Sequence, residues 1–259
     1  INLKNGATTT FAGNKIDVSG GTLKLAGTHS LNSITTNDQT KLQINNSANV
    51  SRTDSGTSTV GSLTYIQSGG SGSPSLSVSN MGLTVASATQ INGASLSHSN
   101  GILTFQSAPS LSSSSSLSVS NGELVLANGV TVNGSSLQLT ASKFKPAGSV
   151  SVTNGGTFAL NETSSVVLQG DTTLNHSGSV SWPELDLGAK KLTLGSTVSS
   201  FTVQKALNIA NGESLLSSGS SVINLSDTLT VANGGKLKSG TGNVQISGAL
   251  TLNGEIEQG

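Results

Sequence analysis

The sequence predicts an all-β fold, a parallel β-helix (β-solenoid) with three short strands in each coil of about 20–22 residues. Three observations carry this. The first is a repeat in which Leu207, Leu229 and Leu250 anchor successive units at a near-constant step. Each unit opens on an apolar-x-apolar triplet and runs into Asn-Gly, at Asn211-Gly212, Asn233-Gly234 and Asn253-Gly254. Two further apolar clusters follow in each full unit, at Leu215/Leu216 and Ile223/Leu225, then at Leu237 and Val244/Ile246. The second observation is a longer echo. LSVSN at Leu76–Asn80 returns at Leu117–Asn121, and INGASL at Ile91–Leu96 returns as VNGSSL at Val132–Leu137, both at the same offset. An antiparallel meander has no reason to keep two motifs at one offset, whereas two coils of a stack do. Third, no window carries a 3.6-residue apolar stripe over three turns, because Gly or Ser interrupts everywhere.

Taken in order, the strand signals are short and frequent: Ile16–Val18, Leu23–Leu25, Leu42–Ile44, Leu76–Val78 and Leu83–Val85. They continue at Leu117–Val119, Leu124–Leu126, Val130–Val132, Leu137–Leu139, Val150–Val152 and Phe158–Leu160. From Leu117 to Ile256 one strand plus its turn takes about seven residues, which leaves room only for tight turns. Val50–Gly61, Gly69–Pro74 and the serine run Ser112–Ser116 are expected to be turns or loops bulging from the stack. No domain boundary shows. Residues 1–259 form a single continuous β-solenoid of about twelve coils. The chain starts in strand-like sequence at Ile1 and stops in mid-unit at Gly259, which reads as a segment of a longer chain or filament.

Composition fits that architecture. Charged residues make up 9% of the chain and aromatics 3%, with 12 basic against 12 acidic residues. In a stack, identical positions sit about 4.8 Å apart, so charge repeated in a column repels itself while Leu over Leu packs dry. The expected core columns are Leu207, Leu229 and Leu250, and Ile209, Val231 and Leu252. Asn suits the turns because it tolerates left-handed backbone and its amide can both donate and accept between coils. A structural Asn ladder is therefore expected at Asn80, Asn121, Asn154, Asn211, Asn233 and Asn253. The low-complexity reading of a disordered chain competes with this, but the apolar residues recur in register.

Sites of chemistry are harder to find. Zero formal charge and a single arginine, Arg52, give no basic stripe for nucleic acid. Cysteine is absent, which removes disulfides and thiol chemistry and suits a chain exported unfolded. No apolar run approaches the roughly 18–20 residues that a spanning helix needs, so no membrane insertion is expected in this segment. No cofactor and no metal site is expected, since His29, His98 and His176 lie at unrelated phases. Glu184 and Asp186 form the nearest carboxylate pair, yet no Lys or His aligns with them one coil away, so no catalytic residue is assigned and no enzyme is expected. Trp182 alternates with Val180, which favours the interior over a sugar-stacking surface. An ice-binding face needs a Thr-x-Thr row in every coil, and Thr9, Thr36, Thr140 and Thr230 do not keep one.

GGTLKLAG at Gly20–Gly27 and LTVANGGKLKSG at Leu229–Gly240 resemble passenger repeats of bacterial autotransporters, and are similar to the filamentous-haemagglutinin class of secreted adhesins. The resemblance rests on Gly-Gly-Thr-Leu turns, Asn-Gly turns, Ser/Thr-rich strands and the lack of Cys. It implies a β-helical rod at the bacterial cell surface, secreted, serving adhesion, aggregation or biofilm structure. Host or matrix glycans and surface proteins are the partners it implies, alongside further coils of the same or neighbouring chains. The residues leave three functions open: a non-catalytic adhesin shaft, a filament subunit joined head to tail through open β-helix ends, and a carbohydrate-active β-helix enzyme.

Overall fold

Short strands with inward Leu, Val and Ile cannot bury both faces alone, and the chain meets that need by winding. The computed structural model describes residues 75–258, apart from 81 and 88, and before them the backbone of eight strands from Asn2–Leu3 to Ser62–Ile66. Among the described residues every regular element is a strand and every strand pair is parallel. The result is a parallel β-solenoid, with about nine turns between Ser75 and Gln258.

Three walls enclose the core. The first is one thirteen-stranded sheet running from Asn2–Leu3 to Glu255–Glu257. The second wall is an eight-stranded sheet that ends at Thr157–Leu160, followed by a four-stranded sheet that starts at Gly178–Trp182. The third is a seven-stranded sheet that ends at Leu185–Asp186, followed by a three-stranded sheet that starts at Leu207–Ile209.

Side chains of like kind stack inside. Leu76 pairs with Leu96, Leu96 with Leu117 and Leu117 with Leu137. Ile91, Leu111, Val132 and Val152 form a second column, which His176 continues. The long sequence echoes thus each span two coils. Alternation follows the pleat: Ser75–Ser79 and Ser116–Ser120 bury their two apolar residues between partly or fully exposed serines. Coil length varies. The step from Leu237 to its partner Ile256 is shorter than that from Val150 to Leu174, the surplus being taken up at corners.

Phe144, Phe158, Trp182 and Phe201 stack edge to face in the interior, with centroid distances of 5.1, 6.4 and 5.0 Å. Trp182 is fully buried. The expected loop over Val50–Gly61 is corrected: strands Asn49–Thr53 and Thr57–Val60 occupy most of it. Polar Ser and Thr are at home in strands whose outward faces are wet, so polarity alone misleads there. Gly69–Pro74 lies outside the described residues. The serine run is a corner, with Ser113 and Ser114 left-handed at φ 57° and 59° and Ser115 buried.

Candidate functional site

The expected columns are in register. Leu207 pairs with Leu229 and Leu229 with Leu250, and Ile209 pairs with Val231 and Val231 with Leu252. The first two coils of these columns are buried, but Leu250 and Leu252 remain 48% and 47% exposed because no described strand covers them.

The six ladder asparagines are not brought together. They divide among three corners. Asn80 and Asn121 share a corner with Asn100, following strands of the second wall, all three left-handed at φ 60°, 51° and 55°. Asn100 Nδ2 donates to Asn80 Oδ1 at 3.2 Å. Asn154 lies at a different corner and donates through Nδ2 to Asn133 Oδ1 at 2.6 Å. Asn211, Asn233 and Asn253 follow the three short strands of the third wall. There Asn211 does not reach the amide of Asn233; its Oδ1 lies against Gly234, which is left-handed at φ 82°. Asn100 and Asn133, absent from the expected ladder, are its working partners. Their signal was the one-coil spacing to Asn80 and Asn154.

Buried serines hold the corners as well. Ser115 Oγ donates to the Ile91 carbonyl at 2.8 Å and lies 3.2 Å from Ser135 Oγ. Ser142 accepts from the Gly122 N–H at 3.3 Å, and its own N–H donates to Ser164 Oγ at 3.2 Å. Each hydroxyl sits where a turn exposes backbone groups inside the wall, so it satisfies atoms that would otherwise be buried without partners.

Charge is used mainly between coils. Glu123 pairs with Lys145, Glu184 with Lys205, Lys236 with Glu255 and Lys238 with Glu257, at 2.6, 2.8, 2.6 and 3.1 Å. In each pair the partners are one coil apart. Hydrogen bonding to Glu255, then the Lys238 ammonium, holds the Glu257 carboxyl below its ordinary range; Glu255 likewise raises Lys236. The expectation that no base aligns with Glu184 is corrected by Lys205, one coil further on.

That pair borders an open groove of about 600 Å³ on the third wall, lined among others by Glu184, Asp186, Lys205, Asn208, Glu213 and Asp227. Most of its carboxylates are occupied by backbone. Glu213, 7% exposed, accepts from the Ala189 N–H at 2.8 Å and the Ala210 N–H at 2.7 Å, clamping two turns a coil apart. Asp186 accepts from Gly188 and Asp227 from Thr228, at 2.9 and 2.7 Å. Of the four, Glu184 meets a lysine instead. Such a groove can bind hydroxyl-rich or cationic groups weakly, but its acids chiefly cap turns. Among the described residues, no three His, Asp or Glu side chains are placed to hold a metal ion, and no helix is long and apolar enough to cross a membrane. Comparison with family models, known proteins and solved structures returns no match.

Proposed function

We propose that the chain is a structural, non-catalytic rod or fibre displayed outside a bacterial cell, the shaft of an adhesin or of a biofilm or surface filament. The thirteen-stranded sheet supports this reading, because one parallel sheet threaded through every coil builds length rather than a cleft. In this reading the whole chain makes about twelve coils of three strands each, and such a stack is about 55–60 Å long at about 4.8 Å per coil. Glycans or proteins of a host or matrix would be held by corners and lateral faces. The charged rungs and buried turn serines fit a role in which coil registry is the property selected.

A second reading is a filament subunit joined head to tail through open β-helix ends, and the all-parallel stack, in which each coil pairs its backbone with the next, supports it. A carbohydrate-active enzyme is the weaker alternative, and the carboxylates around Lys205 are its only support among the described residues. Electron microscopy of the purified chain over a range of concentrations tests the proposal. Rods of fixed length support the shaft, and fibres that lengthen with concentration support the filament. A compact particle that hydrolyses a polysaccharide overturns both.

A further inference from the structure

Two walls of the solenoid are interrupted in successive coils. Thr157–Leu160 and Gly178–Trp182 occupy neighbouring coils of the second wall but are not hydrogen-bonded to each other. One coil further on, Leu185–Asp186 and Leu207–Ile209 stand in the same relation on the third wall. The first wall alone runs unbroken across both gaps, through Gly148–Thr153, Thr172–His176, Lys191–Leu194 and Ser214–Ser217.

The interior changes at the same place. Phe158 and Leu160 point inward yet are only partly buried, whereas the inward residues of the strand below, Leu137 and Leu139, are at 0% and 1%. Across the first gap the Phe158 and Trp182 rings stand 6.4 Å apart, against 5.0 Å for Trp182 and Phe201 where the strands are paired. The Trp182 Nε1 is buried without a partner. The second gap is where the groove opens, and it is bridged at its rim by the solvent-exposed Lys205–Glu184 pair.

We infer that residues 157–209 form a joint in the rod, with the thirteen-stranded sheet as its flexing spine and the two interrupted walls opening and closing against it. A rigid solenoid needs a backbone ladder on all three sides; removing it from two sides in adjacent coils leaves bending about the third as the soft motion. Large rings suit such a place, because a T-shaped pair can slide without losing all contact, as interdigitated Leu columns cannot.

Distances between paired spin labels test this, and the chain's lack of cysteine allows clean labelling. Gln138→Cys with Gln245→Cys, both exposed, spans the first gap on the second wall, about 24 Å over five rungs. Ser149→Cys with Lys238→Cys crosses both gaps along the spine, about 19 Å over four rungs, starting one coil later than the wall pair. The expected result is a distance distribution about twofold broader for the wall pair than for the spine pair. Two equally narrow distributions overturn the joint, and two equally broad ones overturn its restriction to this segment.

Discussion

Leu229 lies at 0% exposure with Leu207 on one side and Leu250 on the other, so a change there is felt in three coils. Replacing it by Asp buries an unpaired charge in a dry column. Leu229→Asp is expected to cost several kcal/mol, read as a fall in the denaturant midpoint; a variant that unfolds with the parent removes the column. His176 is the less comfortable member of its own column. It follows Val152, its Nδ1 is buried without a partner, and burial lowers its pKa from 6.5. The unfolded chain therefore binds a proton more readily than the folded one. Stability attributable to this position is complete above pH 6.5 and declines as pH falls from there through the lower folded value. His176→Leu should flatten that part of the pH–stability curve, and a slope that survives the substitution assigns it to other groups. Leu229 was legible from the repeat alone. His176 was not, because its phase is visible only once the long step from Val150 to Leu174 is known.

Corners are the elements where sequence and structure part company. The strands follow from alternation: each apolar-x-apolar triplet between Leu117 and Leu160 named from the sequence lies within a strand. Turn chemistry was read correctly in kind but not in place. An Asn-Gly pair marks a tight left-handed turn, yet more than one corner uses it, and identical dipeptides do not say which corner they belong to. A rung forms at Asn133 and Asn154 but not at Asn211 and Asn233, although both pairs share a corner at one-coil spacing. Asn133→Ala is accordingly expected to destabilise by about 0.5–1.5 kcal/mol through the lost interaction. Asn233→Ala should cost distinctly less, since its neighbour Asn211 rests against Gly234 instead. Thermal unfolding of both variants against the parent decides this, and a reversed order removes the ladder from the account. Glu213 was missed for a different reason. Its value comes from two N–H groups, at Ala189 and Ala210, that only folding brings to one carboxylate.

For the molecule as a whole, the parallel stack was legible because registry between coils leaves a periodic trace in sequence, whereas gaps in the walls leave none. Partners leave little trace either, since Ser, Thr and Asn serve turns and outward faces alike. The stacking direction has a mechanical side. Hydrogen bonds between coils run along the rod axis, and each coil touches only its neighbours. Tension applied through the chain termini therefore does not shear many ladders together; it peels one coil from the stack while the next stays seated. A coil of about 20–22 residues, drawn taut, releases about 65–75 Å of chain. Single-molecule pulling is expected to give a staircase of near-equal extensions of that size, with small variations that follow the uneven coil lengths. A single cooperative rip would mean that the coils share load across the whole stack. Under the staircase a stretched solenoid yields by lengthening in increments, absorbing work at each one, and keeps its remaining coils folded while it does so.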